Sequence, residues 1–343
     1  MLRPDPPPEA VDRSSRPAVG LSIVVPCKNE ERYISTCIES LLRQEGVILD
    51  REVVVVDNGS TDKTQEILKG YGSEISWYVR PDLPIAGLRN FGVEKSTKEW
   101  IAFIDADVEV DRHWAKALFD HLEDLRKKGK DLKKVITGST CAIPDNPSWI
   151  DRTWYDQLIL RDEAETKYIN SGNLIMHREF FLRLGGFDPS YKTGEEERLC
   201  EVARLQHDAL LLKNDAIKAV HHGYPKSVAA FFQRIRWHGS GMARYFLKPW
   251  RCKPLLLAMY YLLLTAMYVF SLIASPHYVR NTLLFLFMQF LPAFVIASTR
   301  YRGKPKQLSQ LAFLYCCFGW ARVAAVFDIL FGMEFIRNKG NPG

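Results

Sequence analysis

The chain has 343 residues, 47% hydrophobic and 25% charged, with 46 Lys and Arg against 40 Asp and Glu, a formal net charge of +6. This balance excludes a wholly disordered or fibrous chain, and the length allows two domains or one large one. The average hides a division. Ala216 to Phe327 holds fourteen Lys and Arg and no Asp or Glu, so the remainder is net acidic.

The first twenty residues, "MLRPDPPPEAVDRSSRPAVG", are Pro-rich and polar and read as a disordered lead without the apolar core of a signal peptide. "LSIVVP" (Leu21 to Pro26) and "REVVVVD" (Arg51 to Asp57) are apolar runs with little alternation, the pattern of strands covered on both faces. Between them Ile34, Ile38, Leu41 and Leu42 recur at helical spacing. The alternation continues with a helix from Thr61, a strand near Ile75 to Val79, a helix across Ala86 to Lys95 and a strand from Trp100 to Asp105. The pattern predicts an α/β domain with a mostly parallel sheet and helices on both faces, in which ligands bind beyond the carboxyl ends of the strands.

Those ends carry "PCKNEE" (Pro26 to Glu31), "DNGSTD" (Asp57 to Asp62) and "DAD" (Asp105 to Asp107). Two aspartates one residue apart fit a solvated strand end with a helix cap, or a site in which a cation relieves their repulsion. Acidic groups at all three strand ends favour the second reading. No dinucleotide or P-loop glycine motif is present. The seven scattered cysteines have no metal-ligand spacing and fit reduced thiols.

"YKTGEEERLCEVAR" (Tyr191 to Arg204) reads as a charged helix start whose acids suit the helix dipole. "QRIRW" (Gln233 to Trp237) reads as part of a basic amphipathic helix on a membrane surface. Farther on, the basic residues flank long uncharged runs, which favours a membrane over nucleic acid as partner. Spans are predicted over about 255–275 and 281–299, each long enough for a hydrocarbon core about 30 Å thick. Their Lys- and Arg-rich flanks, "KPWRCK" and "RYRGKPK", make them a hairpin with the preceding domain in the cytoplasm, at the inner membrane. A third apolar stretch, 308–333, contains Arg322 and Asp328 and is read as interfacial or re-entrant.

"SIVVPCKNEERYISTCIESLLRQ", "VVVVDNGSTDKTQEIL", "AGLRNFGVEKSTKEWIAFIDADVEV" and "SGNLIMHREFFLRLGGFD" together resemble family-2 glycosyltransferases of the GT-A fold, over roughly Leu21 to Arg244. The resemblance implies a catalytic domain over 21–247 followed by a membrane region over 248–343. It implies inverting transfer of a sugar from a nucleotide-sugar, commonly a UDP-sugar, with Mg²⁺ or Mn²⁺. Carried over by position, Pro26, Asn29, Glu30, Asp57 and Asn58 line the nucleoside pocket, and Arg89 approaches the donor's phosphates. Asp105 lies near the donor and, with Asp107, at the metal. Asn58 departs from the family's frequent second aspartate, which puts base or donor preference in doubt.

By position Glu196 is the catalytic base with Glu195 beside it, and Arg198 replaces a common acid. Gly172 and Arg198 fall on the acceptor and diphosphate side. Gln233, Arg236 and Trp237 match the Gln-x-x-Arg-Trp pattern of processive relatives, where they bind acceptor sugar and diphosphate. A membrane-held site suits a lipid-linked glycan or glycolipid acceptor. The competing readings are a polyprenyl-phosphate glycosyltransferase and a degenerate nucleotide-binding scaffold.

Overall fold

The computed structural model describes residues 19–47, 49–156, 165–301 and 305–332. The Pro-rich lead up to residue 18 lies outside them, as does the end of the third apolar stretch at 333.

The N-terminal domain is built on a seven-stranded sheet of order β3-β2-β1-β4-β7-β6-β8. Its strands are β1 (Val19–Cys27), β2 (Leu49–Asp57), β3 (Ser76–Val79), β4 (Trp100–Ile104), β6 (Val135–Gly138), β7 (Asn173–His177) and β8 (Leu210–Lys213). β3, β2, β1 and β4 are parallel, β7 runs antiparallel to β4 and β6, and β6 is parallel to β8. The expected mostly parallel sheet is therefore present, with β7 reversed within it.

Neighbouring side chains on a strand point to opposite faces, so an unbroken apolar run feeds two cores at once. Val25, Ala102 and Ile104 join one cluster, with Ile34, Ile38 and Leu41 of α1 (Ile34–Leu42) and Trp114 and Leu118 of α4 (Trp114–Lys127). Val24, Ile101 and Phe103 join the other, with Val93 of α3 (Ile85–Lys95), the Phe180–Phe181 pair of α5 (Arg178–Arg183) and Leu199 of α6 (Glu195–His207). The remaining domain helices are α2 (Thr64–Gly70) and α7 (Val228–His238).

Two details place the site. A two-stranded ribbon of β5 (Val108–Val110) and β9 (Ala219–His221) pairs antiparallel and sets His221 opposite Val108. α3 lies very close to β1 at Gly92, where an added Cβ would come within 2.3 Å of Val24 Cγ1. That approach seats Arg89, one turn earlier, beneath the end of β4.

Three long helices follow: α8 (Lys253–Ala274), α9 (Tyr278–Arg300) and α10 (Pro305–Leu330). All three are long and apolar enough to cross a membrane by length and composition, the third over Gln307–Leu330. α10 is one continuous helix over Pro305–Leu330. Asp328 is not an isolated charge. Its carboxylate accepts two bonds from Arg236 of α7, from Nε at 2.6 Å and from Nη2 at 2.5 Å.

Gly92→Ala tests the α3 contact. Overpacking of this kind costs about 1–3 kcal/mol, and the variant should show that loss in urea unfolding, whereas Gly70→Ala, whose Cβ meets nothing within 4 Å, should not.

Candidate active site

The ends of β1, β2 and β4 form one crevice floor. Asn29, in the left-handed region at φ 53°, accepts from the Thr61 amide at 2.8 Å, and its own amide donates to Ser60 Oγ at 2.8 Å. The Glu30 amide donates to Thr64 Oγ1, and the Glu30 carbonyl starts α1. Asp57 is fully buried and accepts from the Ser60 hydroxyl, the Ser60 amide at 3.0 Å and Gln65 Nε2 at 2.8 Å. These bonds occupy the carboxylate that the sequence assigns to a nucleoside. Asn58 Nδ2 donates to the carbonyls of Arg80 and Leu83, two bonds that an aspartate there could not make. Pro26 is buried inside β1 and faces Val56 across the strand pair.

β4 ends at Ile104, so the two aspartates sit in the turn to β5. β9 brings His221 to that turn, and the ligand atoms of Asp105, Asp107 and His221 all lie within 4.8 Å of one another. His221 Nε2 is 3.6 Å from Asp107 Oδ1. The ring stacks on Tyr224 at 4.2 Å, and Arg234 of α7 donates to the Gly223 carbonyl at 2.8 Å and to His221 Nε2 at 3.3 Å. Gly223 touches Asp107 so closely that a Cβ there would lie 2.0 Å from Oδ2. Two carboxylates and one imidazole converging on one point fit a divalent cation. His221 and Gly223 were not identified from the sequence.

Arg89 is buried below this group, with Nη2 2.7 Å from Asp105 and Nη1 2.5 Å from Glu195. Burial works against its charge, but Asp105, Glu195 and Glu196 outweigh it and push the guanidinium pKa up. Arg89, assigned by the sequence to the donor's phosphates, is thus the internal counter-ion of two acids. Gly172 abuts Asp105, its Cβ position lying 3.2 Å from Oδ2.

Residues 22–184 match the family described as "Glycosyl transferase family 2". This segment is a family 2 glycosyltransferase domain. The lipopolysaccharide core biosynthesis glycosyltransferase LpsC of Rhizobium meliloti is 38% identical over 112 residues, which are 32% of this chain and 38% of that protein. The putative glycosyltransferase EpsH of Bacillus subtilis is 29% identical over 148 residues, 41% of this chain and 40% of that protein. The match therefore spans about two fifths of the length of these relatives. Among solved structures, the mannosyltransferase PcManGT from Pyrobaculum calidifontis, in complex with GDP-Man and Mn²⁺, superposes with a TM-score of 0.58 at 20% identity. It covers 92% of this chain and 88% of that one, a likeness of fold. The GT-A fold implied by the sequence motifs is present.

On the far side of the transferase crevice, the left-handed Gly194 opens α6 and places Glu195 and Glu196 in its first turn. Glu195 is committed to Arg89. Among the described residues, the side chain donating to Glu196 is Tyr168, whose hydroxyl lies at 2.8 Å and accepts in turn from Asn170 at 3.0 Å. Burial, then the Glu195 charge, push the Glu196 carboxyl up to about 7, with Arg89 and the Tyr168 bond opposing. A carboxylate poised near neutrality is suited to take a proton at physiological pH.

The remaining candidates lie apart. Arg198 points along the exposed side of α6 to Glu201 at 2.9 Å, and Gln233 is exposed on α7. Arg236 and Trp237 line a cavity of about 480 Å³, together with Tyr191, Lys192, Arg244 and Asp328.

Two tests follow from this geometry. Gly223→Ala should displace Asp107 and weaken Mn²⁺ binding by tenfold or more in order of magnitude, read by calorimetry with the metal alone; unchanged binding would remove Asp107 from the metal group. Tyr168→Phe removes a donor that holds the Glu196 pKa down, so the acid limb of any Glu196-dependent rate should move to higher pH.

Proposed function

We propose that the chain transfers a sugar from a nucleotide-sugar, with UDP-sugars the first candidates, to a lipid-linked glycan or glycolipid at the cytoplasmic face of the inner membrane. The observation that supports this most directly is the link through Arg89, which bonds both Asp105 of the Asp105–Asp107–His221 group and Glu195, the neighbour of Glu196. The family match and the relatives named above support the reaction class. The apolar helices beside the domain support the membrane acceptor.

In this reading Asp107 and His221, with Asp105, hold Mg²⁺ or Mn²⁺, and an imidazole among the ligands favours Mn²⁺. A bound ion supplies positive charge that a nucleoside diphosphate needs as it departs. Pro26, Asn29, Glu30, Asp57 and Asn58 shape the nucleoside side. Arg89 keeps Asp105 and Glu195 in place rather than gripping phosphate, because both arms of its guanidinium are already engaged.

Glu196 takes the proton from the acceptor hydroxyl as that oxygen attacks the anomeric carbon. The new carbon–oxygen bond forms opposite the bond to the diphosphate, which leaves with its electron pair, and the configuration inverts. Trp237 and Arg236 line the acceptor cavity in this reading. Gly172 keeps backbone close to Asp105 without a side chain in the way. Arg198, engaged with Glu201, contributes little to transfer.

Turnover of three variants at saturating substrates tests the assignment. General bases contribute about 10²–10⁴-fold, so Glu196→Gln should lose that factor while UDP affinity in Mn²⁺ changes little, and Arg198→Ala should stay near wild type. The wild-type rate should rise with pH through about 7 as Glu196 loses its proton. Near-normal turnover in Glu196→Gln, with transfer abolished in Glu195→Gln, would move the base by one residue.

A further inference from the structure

α10 touches the transferase domain along its whole length. Near its start Gln310 accepts from Thr153 at 3.4 Å, and the Phe313 ring meets Trp149 at 6.5 Å. In the middle, Leu314 and Ala321 pack with Ile150, Tyr155, Phe231 and Ile235. Toward its end Ala325 lies against Gly239, where an added Cβ would come within 2.3 Å of the alanine's, and Asp328 holds Arg236. From Gln310 to Asp328 the helix rises about 27 Å, close to the thickness of a hydrocarbon core.

That span decides the orientation. If α10 crossed a bilayer, the face of the domain fastened to it would have to enter the hydrocarbon with it. That face includes Arg236 of α7 and the Lys226–Asp151 ion pair at 2.7 Å. Each charged side chain at the centre costs about 2.5–3.5 kcal/mol on insertion scales. Laying the helix flat avoids these costs entirely.

We propose that α10 lies in the plane of the membrane interface as a bed between the transferase domain and the lipid, and that only α8 and α9 enter the hydrocarbon. This inference rests on packing alone and does not depend on the sugar-transfer reading.

The surface fits a bilayer as the occupant. Phe313 and Phe327 are exposed on one stripe of α10, continued by Phe331 just beyond it. The two other faces of α10 are taken by the domain and by the hairpin. α8 packs on α10 through Leu255, Ala258 and Tyr261, and α9 through Ala293 and Ala297. Their far halves are bare and apolar: Phe270 is 70% exposed, Ile273 83% and Val279 76%. The hairpin thus leaves the bed and projects away from it. At its root Leu247 is 91% and Trp250 67% exposed, set among Arg244, Lys248 and Arg251. Apolar and aromatic side chains among bases suit the headgroup level of an anionic leaflet. The cavity lined by Trp237 and Ile329 then opens at that level.

The test uses the full chain with an epitope tag at its C-terminus, reconstituted into phosphatidylcholine–phosphatidylglycerol vesicles with most transferase domains facing out. External protease should remove the tag in the same fraction of molecules in which it cuts the domain. A second tag in the 275–277 loop should resist until detergent is added. A C-terminal tag protected in the molecules whose domain is cut would mean three crossings and overturn the proposal. Failure of the protein to float with the vesicles, with recovery as a soluble oligomer, would assign the apolar faces to a second copy and overturn it equally.

Discussion

The structure is organised around an excess of negative charge where the end of β4 meets the start of α6. Asp105, Asp107, Glu195 and Glu196 converge in one crevice, three of them buried, and like charges 4 Å apart repel by about 4 kcal/mol at an effective dielectric of 20. Arg89 answers part of this from below by bonding both Asp105 and Glu195. What it leaves is a division of labour. Asp107 faces an imidazole, and Glu196 meets a neutral phenol. The first arrangement invites a cation; the second leaves a carboxyl that holds its proton until near neutrality. The buried Cys37 and Cys141 thiols register the same field, pushed up by burial and then by Asp105 and Asp107.

α7 connects this crevice to the apolar helices. Arg234 and Arg236 are two residues apart, about 200° around the helix, so they act on different sides. Arg234 supports the Gly223–His221 segment, and Arg236 binds Asp328 on α10. The close contact of Gly239 with Ala325 fixes the next turn against the same helix. The seat of α10 therefore sets the position of α7, of Trp237 and of one wall of the cavity. A transferase domain joined to its apolar helices in this way is oriented by them as well as tethered.

Much of this is legible in the sequence because it is local. The unalternating runs in β1, β2 and β4 mark strands buried on both faces, and "DAD" and "GEEE" mark where charge gathers. His221 and Gly223 were not legible, because their place depends on the pairing of β5 with β9, and "HHGY" carries no spacing that links it to the aspartates. Tyr168 reaches Glu196 from outside the helix that carries it. Asp328 reads as a costly charge in an apolar stretch until its partner appears 92 residues away. The sequence assigns Arg89 to phosphate, and in the fold it bonds Asp105 and Glu195. In each case the deciding contact is long-range, and local pattern holds no record of it.

The central claim is that Asp105, Asp107 and His221 act together as the metal ligands of a nucleotide site. Anomalous scattering at the manganese edge, from crystals of the protein grown with Mn²⁺ and UDP, tests it directly. The account predicts one strong peak bonded to Asp107 and His221 beside Asp105, with the diphosphate on its open side. A peak elsewhere, or UDP bound with His221 turned away from the metal, would contradict it.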